Sequence, residues 1–436
     1  MTNSSLEVLH QGTEEYETTR RANINPLVAQ RFPHSIWVVQ NERDVITALE
    51  FAKSNRKHVG VRSGGHTFHH SPLLQGGILI DTTHLNRSVD YDLNTSEVSF
   101  GPAVQVKEIS DVLLSHGRFF AHGHYPSVAA GGFLLAGGQG FFMRGWGATV
   151  QQWITKIRVV TSEGKVVTAS RTENQDLFWA ARGSGTAFFG VVTRFWARTI
   201  PAEQLFVTSH TFEVGNKYKE LLEWAFAAAA NTPKYGTDIT LLTYYKENFD
   251  TTLSDDSVPP GARLMLGVAA NAYTGSLAEA SRLLSAFTTV PASLESNLVE
   301  SKPTSTDTWD NTWALQDALF GPERGLNWQI NSILSHPKVP LAELVRTIKP
   351  AVCELPTRFS MSAICPADVK ADESDSMVSI PQPIYVSTFT AWRDETLTPH
   401  IGHVMRRHYR NAGSVAGGMY IADYDPNCDD ANVRAS

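Results

Sequence analysis

The stretch VRSGGHT at residues 61–67 decides how the rest of the chain is interpreted. Gly64 and Gly65 have no Cβ atom, so the backbone can take positive φ angles there and approach a ligand closely. Successive N–H groups in such a turn can point into one concavity and hold a phosphate group. His66 follows in the same turn, where its imidazole can contact the redox end of a dinucleotide or be bonded to it.

A second glycine-rich stretch, PSVAAGGFLLAGGQGFFMRGWG, occupies residues 126–147 and holds seven glycines. Each glycine in a helix interior costs about 1 kcal/mol relative to alanine. We therefore expect this stretch to be non-helical, and we interpret its glycines as sites where the chain approaches a large flat ligand.

Hydrophobic periodicity predicts an α/β beginning around these stretches. Asn41 is a good N-cap for the helix that follows it, and the pair Glu163-Gly164 is typical of a tight hairpin turn. The predicted elements are strands at 35–39, 58–61, 77–81, 97–100 and 190–198, a helix at 106–116 and a hairpin at 153–170.

The second half of the chain has a different pattern, in which alternating segments and helical segments follow one another. This order predicts a larger antiparallel sheet covered on one side by helices. The predicted strands are 205–214, 239–245, 263–273, 326–334, 359–364 and 384–392, and the predicted helices are 218–230, 277–287, 308–319 and 341–349.

Length and composition narrow the class of protein. A chain of 436 residues, 42% of them hydrophobic, favours two domains. The formal net charge of −7 argues against a nucleic-acid partner, because phosphate binding calls for a basic face. The chain has no apolar run long enough for a membrane span, and its N-terminus lacks the pattern of a signal peptide. We expect a soluble, cytoplasmic protein.

Neither a disulfide framework nor a metal site is predicted. The chain has only three cysteines, which is an odd and sparse set. The histidines that could form a metal site are loosely spaced, and no cysteine or carboxylate near them completes a ligand set. The cysteines are Cys353, Cys365 and Cys428, and the histidines are His66, His69, His70, His122 and His124.

A third motif, DLFWAARGSG at residues 176–185 followed by FGVVT at 189–193, completes a resemblance. With the first two stretches, it resembles the berberine bridge enzyme-like FAD-linked oxidoreductases of the vanillyl-alcohol oxidase superfamily. A Rossmann fingerprint is disfavoured, because its third glycine would fall on Phe188. The resemblance implies an α+β fold: a PCMH-type FAD-binding domain at 1–200, an antiparallel-sheet substrate domain at 201–405, and a short C-terminal segment at 406–436 returning towards the FAD domain.

The resemblance also implies FAD as the cofactor and assigns its contacts. In the family, the histidine at the position of His66 is bonded to the 8α methyl group of the flavin. Tyr125 replaces the cysteine that makes a second flavin bond in some members, so a single covalent bond is expected. Ala130 matches a position associated with oxygen access. The cofactor-binding residues implied are Arg62, Ser63, Gly64, Gly65, His66, Thr67, Tyr125, Pro126, Ser127, Ala130, Gly131, Gly132, Gly137, Gly138, Gly140, Gly147 and Val191.

The function implied is oxidation of a small organic substrate, such as a secondary metabolite, by hydride transfer to flavin N5 with O2 as electron acceptor. Tyr385 and Tyr420 are the candidates for the catalytic base, with plain packing as the alternative for each. Two other functions stay open: a flavin-scaffolded, non-redox cyclase or isomerase of a natural-product pathway, and an inactive FAD-binding protein. The last is suggested by the tail, which stops at Ser436 without the family's closing helix and turn.

Overall fold

A computed structural model describes residues 6–369, 372–379 and 383–426. The described chain divides into two compact units. The first unit holds residues 6–141, 148–202 and 372–379, and the second unit holds residues 142–147, 203–369 and 383–426.

The strands and helices are numbered in chain order across both units. The strands are β1 (Glu7–His10), β2 (Ser35–Val38), β3 (Val59–Arg62), β4 (Ile78–Asp81), β5 (Val89–Asp92), β6 (Glu97–Phe100), β7 (Arg118–Phe119), β8 (Ile154–Val160), β9 (Val166–Ser170), β10 (Val191–Arg198), β11 (Ile200–Pro201), β12 (Gln204–Glu213), β13 (Thr237–Tyr245), β14 (Leu264–Thr274), β15 (Leu298–Asp307), β16 (Asn327–Ser335), β17 (Met361–Cys365), β18 (Tyr385–Trp392) and β19 (Ala416–Gly418). The helices are α1 (Glu14–Arg21), α2 (Glu42–Ser54), α3 (Val106–Ser115), α4 (Ala130–Leu135), α5 (Met143–Trp146), α6 (Thr149–Gln152), α7 (Gln175–Ala181), α8 (Tyr218–Ala230), α9 (Leu277–Leu283), α10 (Trp309–Phe320), α11 (Leu341–Cys353) and α12 (Thr398–Ala412).

The first unit begins with a sheet of order β1-β2-β4-β3, in which β2, β4 and β3 run parallel. Helix α2 connects β2 to β3, and the Asn41 side chain caps it by accepting from the N–H groups of Arg43 and Asp44. Val45 and Ala48 on α2 are fully buried against Ile80 of β4. The predicted strand–helix–strand beginning is therefore confirmed, and it delivers the chain from β3 into the first glycine turn.

A second sheet of the first unit is antiparallel, with the order β5-β6-β10-β8-β9. The predicted hairpin is confirmed: β8 pairs with β9, and Gly164 takes a φ of +77° in the turn between them. The Gly164 N–H closes this turn by donating to the Thr161 carbonyl at 2.9 Å.

The second unit is built on an eight-stranded antiparallel sheet of order β15-β12-β14-β13-β17-β18-β16-β19. Helices α11 and α12 cover one face. Thr388 of β18 donates to the Ala351 carbonyl of α11 at 2.7 Å, and its hydroxyl lies 2.8 Å from that of Tyr409 on α12. Because side chains alternate along a strand, Tyr385 lies on the opposite face of β18. The predicted fold class is confirmed.

The structure corrects one expectation about the second glycine-rich stretch. We expected it to be non-helical, but it contains α4 and α5. Both helices are short, and Gly131 and Gly132 lie in the first turn of α4. They therefore destabilise only a short piece of helix. A Cβ atom on Gly131 would lie 3.1 Å from Pro102 and closer still to Ser63 Oγ, so close packing accounts for one of these glycines.

The compact units also differ from the predicted domain boundaries. Residues 142–147 group with the second unit, and residues 372–379 group with the first. The predicted boundary at 405/406 falls inside α12, whose buried face (Ile401, Met405, His408, Tyr409 and Ala412) is continuous across it. Residues 406–426 group with the second unit, while residues 427–436, including Cys428, lie outside the described residues.

Candidate functional site

The first glycine turn follows directly from β3. Gly65 has a φ of +67°, which a residue with a Cβ atom rarely adopts. A Cβ atom on Gly65 would lie 2.6 Å from the Ala22 carbonyl oxygen, and one on Gly64 would lie 2.7 Å from Ala129. Because Gly64 and Gly65 have no side chains, other segments of the same unit can pack closely on the turn.

Parts of the two glycine-rich stretches contact each other in the first unit. His66 Nε2 lies 2.9 Å from Ser127 Oγ, and Gly64 lies against Ala129. Gly64 and Gly132, one from each stretch, are both exposed. A Cβ atom on Gly132 would meet no described protein atom within 4 Å. The first unit thus presents open backbone next to His66, which is the shape that a flat ligand requires.

His66 itself is half-buried, with its ring centroid 5.6 Å from that of Tyr125. Burial lowers the pKa of His66 to about 4. The imidazole is therefore neutral at physiological pH and keeps one nitrogen lone pair, which is the form that can act as a nucleophile.

Other predicted cofactor residues have their side chains in the protein interior. The Arg62 guanidinium donates to Asp81 at 2.5 Å and to the Thr19 carbonyl at 2.6 Å. Val191 lies in the hydrophobic core around β4. Ala130 and Pro126 are buried, and the Ala130 N–H donates to the Val104 carbonyl at 2.9 Å.

Local backbone conformation or close packing requires the remaining glycines that were predicted to bind the cofactor. Gly137, Gly138 and Gly147 have positive φ angles of +110°, +73° and +75°. A Cβ atom on Gly140 would lie 2.5 Å from the His122 carbonyl oxygen. Gly147 groups with the second unit, whereas the other three group with the first. Ser63 and Thr67 are half-buried residues of the first turn.

In the third motif, Arg182 is held within the first unit. Its Nη1 lies 2.8 Å from Asp375 Oδ2, and its guanidinium carbon lies 3.9 Å from the ring centroid of Phe178. Arg171 contacts the same carboxylate at 2.9 Å. Two arginines therefore fix the segment 372–379 to the first unit through Asp375.

The structure brings the two candidate bases together in the second unit. The ring centroids of Tyr385 and Tyr420 lie 6.2 Å apart, with the rings perpendicular. The Tyr385 hydroxyl donates to Asp423 Oδ2 at 2.7 Å. Ser332 of β16 positions the acidic residue, because its hydroxyl donates to the Asp423 carbonyl at 2.5 Å.

Burial sets the electrostatics of this pair. It raises the pKa of Tyr385 well above 10, and the neighbouring Asp423 charge raises that pKa further. It also raises the pKa of Asp423 to about 6, although the hydrogen bond from Tyr385 opposes the rise. At neutral pH the pair is thus a neutral phenol donating to an ionised carboxylate that can accept a proton.

Sequence reasoning missed Asp423 and Ser332. Asp423 lies 38 residues from Tyr385 along the chain, so no local spacing connects the two. The only available signal was the acidic segment YIADYDP at 420–426, which follows the candidate Tyr420 directly.

The open backbone at Gly64 and Gly132, together with a neutral histidine, fits a flavin nucleotide. Within residues 6–369, 372–379 and 383–426, no group of three or more His, Cys, Asp or Glu side chains is arranged to hold a metal ion. Cys353 and Cys365 are free thiols. In the same ranges, no helix is both long enough and apolar enough to cross a membrane.

The fold and the site define a class, that of proteins with an FAD-binding domain. Residues 33–170 match the family model described as an FAD binding domain. Over 199 residues the chain is 35% identical to the FAD-linked oxidoreductase penO of Penicillium crustosum, a match that covers 46% of this chain and 44% of that protein. Over 143 residues it is 40% identical to the xylooligosaccharide oxidase of Thermothelomyces thermophilus, covering 32% and 28%. The chain therefore spans less than half the length of these curated relatives.

Solved structures agree with the fold along almost the whole chain. BBE-like 1 from Physcomitrella patens matches with a TM-score of 0.80 at 17% identity, covering 98% of this chain and 91% of that one. The 6-hydroxy-D-nicotine oxidase from Arthrobacter nicotinovorans matches with a TM-score of 0.80 at 19% identity, covering 97% and 90%. The chain carries an FAD binding domain related to those of FAD-linked oxidoreductases, and the resemblance predicted from the three motifs is confirmed.

Proposed function

We propose that this chain is an FAD-dependent oxidoreductase that oxidises a small organic substrate at a C–H bond adjacent to an O–H or N–H group, with dioxygen as the electron acceptor. Support for the cofactor comes from the family match over residues 33–170. Support for oxidase chemistry comes from relatives that are named FAD-linked oxidoreductase and xylooligosaccharide oxidase. When bound, FAD supplies the hydride acceptor at N5 and passes the electrons to dioxygen.

The observation that carries the proposed chemistry is the hydrogen bond from Tyr385 to Asp423, at 2.7 Å. Oxidation of an alcohol or amine requires a base that takes the O–H or N–H proton as the hydride leaves. A tyrosinate is disfavoured here, because burial raises the pKa of Tyr385. A relay avoids that charge: the Tyr385 oxygen accepts the substrate proton while its own proton moves to Asp423.

Asp423 suits the accepting role. Its pKa of about 6 keeps the carboxylate ionised at neutral pH and basic enough to take a proton. Catalytic bases work best when their pKa lies near the operating pH. We therefore expect turnover to rise with pH through about 6, as Asp423 ionises, and to level off above it.

In the first unit, we propose that His66 bonds the flavin and that Tyr125 makes no second bond, since a phenol cannot replace the thiol of the family's cysteine. The exposed backbone at Gly64 and Gly132 then lies along the cofactor. Replacing His66 with alanine should leave some bound FAD but slow the oxidation of substrate, because the covalent bond makes the flavin a stronger oxidant.

The decisive experiment records the absorption spectrum of the purified protein, supplemented with FAD, during a screen of alcohols, amines and phenols. Bleaching by one substrate under nitrogen, followed by recovery and oxygen uptake in air, supports the proposal. A colourless protein after supplementation refutes it. Conversion of a substrate without oxygen uptake favours the non-redox cyclase or isomerase, and a coloured protein that no substrate reduces favours the inactive binding protein.

Two matched variants test the base. Tyr385→Phe removes the hydroxyl that contacts Asp423 and should lower kcat by about 10²- to 10⁴-fold, the usual contribution of a positioned base. Tyr420→Phe removes a hydroxyl from the neighbouring ring and should lower kcat far less. Equal losses in the two variants would contradict the assignment of Tyr385.

A further inference from the structure

The large sheet of the second unit has one face covered by helices and one open face. Along residues 237–244 of β13, buried and half-buried side chains alternate. The buried ones point towards the helices, because Thr243 donates to the Val352 carbonyl of α11. The half-buried ones, such as Leu242, therefore lie on the open face. The strand register from β13 through β17 to β18 places Tyr385 on the same open face.

Four residues on neighbouring strands form a row across the open face. Ser387 of β18 pairs with Ala363 of β17, Ala363 pairs with Leu242 of β13, and Leu242 pairs with Gly267 of β14. We call these four residues the central row; at a strand spacing of about 4.8 Å, it is about 14 Å long. Ser387 is buried, and the other three are half-buried. The central row is therefore polar at the end beside Tyr385 and apolar along the rest.

The rows on either side of the central row are also largely apolar. On one side, Phe389 pairs with Met361, and Met361 pairs with Tyr244. On the other side, Cys365 pairs with Tyr385. Burial raises the pKa of the Cys365 thiol to about 12, so the thiol stays uncharged and behaves as a small hydrophobic group. A ligand that lies along the central row therefore meets mainly carbon and sulfur atoms.

The far end of the central row is open because it carries a glycine. The nearest atom to a Cβ built on Gly267 is Tyr244 Cε1, at 3.8 Å. Neither a positive φ angle nor a close contact therefore explains the glycine. Polar side chains of the open face begin one row away from Leu242, at Thr240, and continue at Asp238, which pairs with Asn271. The space beside Gly267 extends the apolar surface away from the polar end.

A carbohydrate does not suit such a surface. The side chains of Leu242, Gly267 and Ala363 carry no hydrogen-bonding group, and each of their strands lies between two others, so the backbone groups are engaged in the sheet. A sugar hydroxyl that loses water without gaining a partner lowers affinity about tenfold or more. A flat apolar ring system gains affinity instead, because it removes apolar surface from water.

We propose that the substrate is an uncharged alcohol carried on a flat apolar body, such as a fused aromatic ring system, and that the central row binds this body while Tyr385 contacts the alcohol. The order of groups along the row matches such a molecule, with a hydroxyl at one end and apolar surface over the remaining length. This inference deepens the proposed function and rests on it, since Tyr385 marks the reacting end.

Three alcohols test the substrate class on the wild-type protein loaded with FAD. Pyrenylmethanol has a long apolar body, benzyl alcohol has a short one, and xylobiose is polar. Pyrene fluorescence measures binding, and bleaching of the flavin measures oxidation. We expect pyrenylmethanol to bind and to be oxidised with a kcat/KM about 10²-fold above that of xylobiose, because at least two sugar hydroxyls would lose water without gaining a partner.

Two variants locate the bound ring system. Gly267→Leu fills the far end of the central row and should raise the Kd of pyrenylmethanol about tenfold. It should raise the Kd of benzyl alcohol, measured by displacement of pyrenylmethanol, far less, because the short body ends before Gly267. Val207→Leu is the matched control. It enlarges a half-buried side chain of β12, beyond β14 in the sheet, and should change neither Kd.

Xylobiose as the better substrate, or a Gly267→Leu protein that binds pyrenylmethanol as tightly as wild type, overturns the inference. If Gly267→Leu does not fold, the comparison of the three alcohols on wild type still decides. The two proposals fail in different ways. Bleaching by xylobiose alone would refute the apolar row and leave the proposed oxidation standing. Pyrenylmethanol that binds with the expected dependence on Gly267 but never bleaches the flavin would refute the oxidation and leave the binding row standing.

Discussion

Replacing Asp423 with asparagine is expected to stabilise the folded protein above pH 6. Burial raises the pKa of Asp423 from 3.8 to about 6 in the folded state. A group that binds its proton more tightly when folded contributes most stability below its unfolded pKa and loses that contribution as pH rises through the folded value. Ionised Asp423 therefore weakens the fold at neutral pH, and asparagine removes the charge while keeping an acceptor oxygen for Tyr385.

The size of the effect follows from the shift. Each pKa unit corresponds to about 1.4 kcal/mol, so a shift of this size sets an upper bound of about 3 kcal/mol. Asp423 is only half-buried, and solvent screening reduces the effect below that bound, which leaves an expected gain of about 1–2 kcal/mol. The gap between Asp423→Asn and wild type should open between pH 4 and pH 6 and stay constant above pH 6.

Urea denaturation of both proteins at half-unit steps from pH 4 to pH 8 measures this gap. The pair Tyr385→Phe and Tyr385→Phe/Asp423→Asn is the matched comparison. Without the phenol, the hydrogen bond that lowers the pKa of Asp423 is lost, so the gap should continue to widen above pH 6. A gap that does not change with pH, or a less stable Asp423→Asn protein at pH 8, would refute the reasoning.

Two further predictions concern the first unit. Gly131→Ala should lower the free energy of unfolding by about 1–3 kcal/mol because its methyl group would collide with Ser63 and Pro102. A methyl group on Gly132 would meet no described atom within 4 Å, so the control variant Gly132→Ala should leave the stability in urea unchanged or slightly higher. Equal losses of stability in the two variants would contradict this account. Asp375→Asn should expose the segment 372–379 to limited proteolysis after Glu373, since it removes the carboxylate held by Arg182 and Arg171. The control variant Asp372→Asn should not increase cleavage, because the Asp372 side chain accepts hydrogen bonds from Ser374 in its own turn. Unchanged cleavage in Asp375→Asn would count against the attachment through two arginines.

Elements with a local signal could be predicted from the sequence. The Asn41 cap, the hairpin turn at Gly164 and the helix Tyr218–Ala230 each depend on residues close together in the chain, and each was confirmed. Strand β15 was missed because its sequence, LVESKPTSTD, is polar and lacks alternation. It is a strand because its backbone pairs with that of β12. Backbone pairing does not require an alternating pattern of polar and apolar side chains, so the sequence carries no signal for it.

Helix α12 was missed for another reason. Its buried residues recur at helical spacing, but histidines and arginines lie between them and mask the apolar face. The candidate site shows the same division between local and distant information. The turn around His66 was readable because glycine and histidine adjoin, whereas the contact of His66 with Ser127 joins residues 61 positions apart.

The Tyr385–Asp423 pair links the stability of the second unit to the proposed chemistry. Burial raises the pKa of Asp423, and the same burial makes the ionised carboxylate both unfavourable for the fold and a better proton acceptor near neutral pH. The fold needs only an acceptor for the hydrogen bond from Tyr385, and asparagine supplies one without a charge, so Asp423→Asn should give a more stable protein. A residue needed to take a proton cannot be replaced by asparagine, so turnover should fall in the same variant. Stability and turnover must therefore change in opposite directions in Asp423→Asn; a variant that gains stability and keeps wild-type turnover would show that the pair serves packing alone.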